Sequence, residues 1–167
     1  MTLSMYQASV PVFVHQLTAL SKILTKGAEF AAEKGIDPAT LIATRLAPDM
    51  GSLERQIQIA TDGAKGGVAR LAGVDVPSYA DDEKNFDDLQ ARIAKTIAFL
   101  KTITPEQVDG SEDRQLDLKF GPTEYSFKGQ AFLLTFVLPN FFFHVTTAYG
   151  LLRHAGVQIG KRDFLGG

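Results

Sequence analysis

The chain has 167 residues, 45% of them hydrophobic and 22% charged, enough for one domain with a core of its own. A formal net charge of −2 gives no basic field for nucleic acid or an anionic membrane. With no cysteine, disulfides, thiolate metal sites and cysteine nucleophiles are excluded together, a composition that suits a reducing cytoplasm.

The opening Met-Thr-Leu-Ser-Met-Tyr lacks the basic end and apolar run of a secretion signal, so a cytoplasmic location is expected. A membrane span needs roughly 18 apolar residues, and the best run, Ala131 to Val145, is broken by Thr135, Pro139, Asn140 and His144. No membrane partner is therefore expected.

Phe13, Leu17, Leu20, Leu24, Ala28 and Ala31 recur at three- and four-residue steps and predict a first long helix, ended by Gly35. Val12, Ala19, Ile23 and Phe30 add a second stripe, so this helix needs two neighbours: two helices of its own bundle, or one helix and a partner subunit. His15 lies among Lys22, Lys26, Glu29 and Glu33 and reads as a surface residue. Asp37 and Pro38 start a short helix to about Thr44.

Ser52 is a plausible N-cap for a second long helix running to about Leu71, with Leu53, Ile57, Ala60, Ala64, Val68 and Leu71 on one stripe. Gly63, Gly66 and Gly67 each cost that helix about 1 kcal/mol against alanine. Close approach of another backbone is the expected compensation. Phe86, Leu89, Ile93, Ile97 and Leu100 predict a third helix stopped at Thr104-Pro105. Asp81, Asp82 and Glu83 are read as electrostatics at its positive end rather than a cation site.

Between Gln115 and Lys128 the period changes to two, across Gly121-Pro122-Thr123, which predicts a β-hairpin. A lone hairpin is marginal in water, so it should lie against the bundle. Seven of the twelve phenylalanines fall between Phe120 and Phe143, placing the densest core where hairpin and last helix join. The last helix enters near Gln130, kinks or restarts at Pro139, and ends at Gly156 with Arg153 and His154 in its final turn. The tail from Val157 to Gly167 keeps apolar residues and should fold back. The architecture expected for residues 1–167 is a single all-α four-helix bundle with a small β-hairpin before the last helix.

Candidate chemistry centres on His144. It shares a helical face with Phe141, Ala148, Leu151, Leu152 and Ala155 and should point inward. A buried imidazole must find a hydrogen-bond partner or lose its charge, so it is either a satisfied core residue or a metal ligand or general base between helices. His144 and His154 cannot share a metal on a regular helix, being about 15 Å apart along it and about 80° apart around it. Gly160-Lys161-Arg162 is no phosphate loop, because the spacing from Gly156 is short and no Ser or Thr follows Lys161.

Several blocks resemble a bacterial domain-of-unknown-function family in the DinB/YfiT-like superfamily of four-helix bundles. They are Ala47-Pro48-Asp49, Arg55-Gln56-Ile57, Ala60-Thr61-Asp62, Ala64-Lys65, Leu89 to Ile93, Pro139-Asn140-Phe141, His144 to Tyr149, Leu152-Arg153-His154 and Gly160 to Gly166. The resemblance implies a bundle with a long second connection, often a homodimer. It also implies a divalent metal (zinc, nickel or manganese) held by one histidine of the second helix and two of the last, four apart, in thiol-dependent transferases and hydrolase-like enzymes. Only His144 matches that pattern. Helix 2 has no histidine and Ala148 stands where a partner is wanted, so the metal site is incomplete. Gln56 at the stripe edge can supply an oxygen, whereas Asp62 plots on the opposite side. Three functions follow: an inter-helix pocket of His144, Gln56 and Tyr149 for an unidentified small-molecule ligand, a metal-dependent transferase or hydrolase on His144, or a structural homodimer using the broad first helix.

Overall fold

The computed structural model describes residues 3–167, apart from the Phe120 side chain. Four long helices form the bundle: α1 (Val10–Lys34), α3 (Leu53–Ala72), α4 (Phe86–Thr102) and α7 (Leu138–His154). Short helices α2 (Pro38–Ile42) and α5 (Pro105–Val108) sit in the connections. A hairpin of β1 (Gln115–Phe120) and β2 (Thr123–Lys128) precedes α6 (Gly129–Ala131), and α8 (Lys161–Phe164) ends the chain. The helical bundle with a two-stranded hairpin before its last helix is the architecture expected from the pattern.

The stripes become the core because burying each large apolar side chain is worth about 1.5–3 kcal/mol. Phe13, Leu17, Leu20 and Leu24 of α1 meet Ile57, Ala60, Ala64 and Val68 of α3, with Leu89 and Ile93 of α4 and Phe141, Val145, Ala148 and Leu152 of α7. Gly35 closes α1 at φ 62°, and Asp37 accepts the Ala39 N–H at 2.9 Å to start α2. Ser52 occupies the N-cap of α3, but its hydroxyl turns to Glu54 at 3.4 Å and caps nothing. Asn85, unremarked in the sequence, is the working cap of α4, accepting the Asp88 N–H at 2.8 Å.

The last helix is continuous rather than broken at Pro139. A π-helical turn, Phe132–Val137, leads from α6 straight into α7. Proline has no N–H to offer the carbonyl one turn back, and the wider π turn absorbs that mismatch. Thr135 Oγ1 donates to the Ala131 carbonyl at 2.7 Å, one turn back along the same helix. By length and mean hydropathy (1.5) the whole helix Gly129–His154 would also pass for a membrane span. Its buried face is nevertheless the inner wall of the bundle, packed chiefly on α3.

Packing corrects one further expectation and shows what lies on the broad face of α1. The hairpin rests on the π turn through Phe127 against Phe132 (5.7 Å) and Phe136 (5.5 Å), but most of it is exposed, so the densest core lies within the bundle. The broad face of α1 is covered by α4 on one side and by the tail on the other. Lys26 Nζ meets Asp163 at 2.6 Å, and Gln16 Nε2 donates to the Phe164 carbonyl at 3.0 Å. The tail therefore folds back as expected and supplies α1 with a neighbour from its own chain. His15 stays exposed, its Nε2 3.0 Å from the Leu165 carbonyl.

Candidate functional site

Helices α3 and α7 run antiparallel, so residues of one ascend as those of the other descend. Gln56 faces His144, Gly63 faces Asn140 and Gly67 faces Val137 along one seam. The first pairing joins two sequence candidates: His144 Nδ1 lies 2.7 Å from Gln56 Oε1. Gln56 is buried and its Nε2 donates to the Gly51 carbonyl at 2.8 Å. A carbonyl can only accept, so the amide is turned with Oε1 toward the imidazole. His144 must then carry its proton on Nδ1, leaving a lone pair on Nε2.

His144 is half-buried at the edge of the stripe, with Val145 rather than the imidazole at its centre. Burial pushes its pKa below the usual imidazole value, and the nearby Arg55 cation pushes in the same direction. The unfolded chain, with an ordinary pKa near about 6.5, takes up a proton there that the folded protein refuses. This contribution to stability is thus complete above that pH and is lost as pH falls toward the depressed folded value. NMR titration should show the His144 ring titrating below the ordinary imidazole value, and His144→Phe should flatten the acid limb of stability against pH.

The third candidate does not join this pair. Tyr149 packs edge-on against Phe164 of α8, with ring centroids 5.8 Å apart. Asp62 is held in another network: its Oδ1 meets Lys65 Nζ at 2.7 Å and Arg92 Nη2 at 2.8 Å. Among the described residues no three His, Cys, Asp or Glu side chains converge on one point. The donors at the seam, one imidazole and a carboxamide already tied to a carbonyl, do not fit a three-histidine divalent metal.

Arg92 is the residue that pattern reading missed. Its side chain is fully buried on α4, yet it touches three carboxylates: Glu83 at 2.8 Å, Asp62 at 2.8 Å and Asp81 at 3.1 Å. Nε donates to Thr61 Oγ1 and Nη1 to the Ala80 carbonyl, both at 2.8 Å. Asp81 and Glu83 therefore clamp the connector onto the bundle rather than charge the start of α4, where Asp87 and Asp88 do that work. The available signal was a lone Arg three residues after Leu89, on the apolar side of α4.

Further along the seam, residues of α3 and the π turn line a cleft of about 420 Å³. Gly63, Gly67, Lys65, Arg70, Phe132 and Asn140 are among its walls. The glycines let side chains close on α3 beside the cleft. A Cβ on Gly67 would come within 2.5 Å of Val137 Cγ1, and one on Gly66 within 2.6 Å of Arg70 Nη1. What approaches α3 is thus side chains, not the second backbone expected.

Residues 5–165 match the family model described as a domain of unknown function, DUF1993. The chain belongs to the DUF1993 family. It is also similar, at 36% identity and a TM-score of 0.88, to a crystal structure of a DinB family member from Shewanella denitrificans, over 97% of this chain and 92% of that one. No curated protein matches it. For this DUF1993 member the DinB-like bundle is thereby established.

Proposed function

We propose that this DUF1993 protein is a small-molecule-binding bundle whose ligand sits in the α3–α7 cleft, without the three-histidine metal of the DinB resemblance. One observation carries the reading: two helix-weakening glycines of α3, Gly63 and Gly67, line the cleft together with residues of a π turn, and such turns recur at functional sites. The volume of about 420 Å³ suits a small organic ligand. Asn140 links the cleft to His144, one helical turn away on the same face of α7.

The test is the metal content of protein purified without an affinity tag, repeated on His144→Ala. The binding reading expects no stoichiometric metal and a variant changed only modestly in stability. The alternative, a metal-dependent transferase or hydrolase on His144, is favoured by the lone pair left on Nε2. Stoichiometric zinc, nickel or manganese lost in the variant would install it instead. Homodimerisation is a separate proposal, drawn from the DinB-like resemblance, and light scattering that returns a monomer at micromolar concentration would remove it.

A further inference from the structure

Resting on the reading of the α3–α7 cleft as the ligand site, we infer that its ligand is a small monocarboxylate with an aromatic or branched apolar body, anchored by Arg70. Arg70 lines the cleft near the end of α3 and bends back so that Nη1 donates to the Gly66 carbonyl at 2.9 Å. That uses one of five guanidinium N–H groups. Among the described residues no carboxylate lies within 4.0 Å of it, whereas Arg55 has one and Arg92 has three. Gly66 makes the posture possible, since any Cβ there would strike the guanidinium. A half-buried arginine with no counter-ion, seated by a glycine that weakens the helix, is suited to a planar anion.

Charge sets the valence. The cleft holds Lys65, Arg70 and Asp62, a balance of one positive charge. Asp62 would repel an anion, but its carboxylate is already shared between Lys65 and Arg92. One net charge and one uncommitted guanidinium suit a monoanion better than a phosphate dianion. The Asn140 side-chain amide supplies a further donor, while Phe132, Phe136, Val76 and Val137 offer an apolar wall for the body of the ligand. Burial also pushes the Arg70 pKa down, as expected of a cation without a partner.

Phenylacetate, phenylacetamide and 2-phenylethylamine, which share a ring and differ in charge, serve as probes. Each is titrated into the 15N-labelled full chain, following the backbone amides of Gly63, Gly67 and Asn140. The expected result is that phenylacetate shifts these signals with an affinity at least about tenfold above the amide, one charge-assisted hydrogen bond in magnitude. Arg70→Gln should erase that preference while leaving the dispersion of the spectrum intact, and Arg70→Lys should restore part of it. Equal binding of acid and amide at these signals, or preference for the amine, overturns the carboxylate inference and leaves the cleft as a ligand site. If no probe moves these signals, both the inference and the reading it rests on fall. Should Arg70→Gln not fold, the acid-to-amide ratio in the unmodified protein decides alone.

Discussion

Arg92→Ala is expected to destabilise the protein by about 3–5 kcal/mol, the usual cost of removing one member of a buried ion pair. For a chain of this size the melting temperature should fall by roughly 10 °C or more. The loss exceeds that of an ordinary surface bridge because Arg92 is fully enclosed and Glu83 is nearly so, with 6% of its side chain exposed. Without the guanidinium, Glu83 keeps the Gln58 Nε2 donor at 2.9 Å and a backbone hydrogen bond but no cation, and the Ala80 carbonyl loses its bond to Arg92. Urea unfolding of Arg92→Ala, Glu83→Gln and the double variant measures the coupling, expected at about 1–3 kcal/mol. Additive single effects would show that the network is not a unit.

The same network predicts acid sensitivity. Burial alone would raise the Glu83 pKa, but hydrogen bonds from Arg92 and Gln58 outweigh it, and the net direction is down. The unfolded carboxyl therefore protonates first as pH falls. Stability from Glu83 is complete above the ordinary carboxylate range and disappears as pH drops through the lowered folded value. Glu83→Gln should remove this part of the acid dependence.

Phe141→Ala is the second large effect, also about 3–5 kcal/mol, from lost transfer energy plus the cavity left behind. Phe141 is fully buried, edge-on to Phe13 at 4.9 Å and to Phe142 at 5.4 Å. It ties α7 to α1 across the middle of the bundle, so relaxation into the void is limited by three helices. Phe141→Leu should retain more than half of the stability, since most of the buried volume survives. Denaturant unfolding that found Phe141→Ala within 1 kcal/mol of the unmodified protein, roughly a surface-substitution effect, would contradict this packing.

The four helices, the hairpin and the inward tail follow from the sequence because their signals are local. Apolar spacing of three and four, an Asp-Pro start and a Gly stop act within one or two turns, and the chain has few other ways to bury those stripes. Gln56 and His144 were likewise legible as candidates, although not their mutual 2.7 Å bond, which fixes the imidazole proton. The tertiary structure alone decided the rest. Arg92 shows no role in the local pattern until Asp62, Asp81 and Glu83, from two other segments, close on it. Tyr149 looks available until Phe164 packs on it, and the broad face of α1 looks vacant until the tail covers it. The glycines of α3 show only a cost until Val137 and Arg70 arrive opposite them. Such contacts join residues tens of positions apart, and their energies depend on burial and orientation that no local spacing encodes.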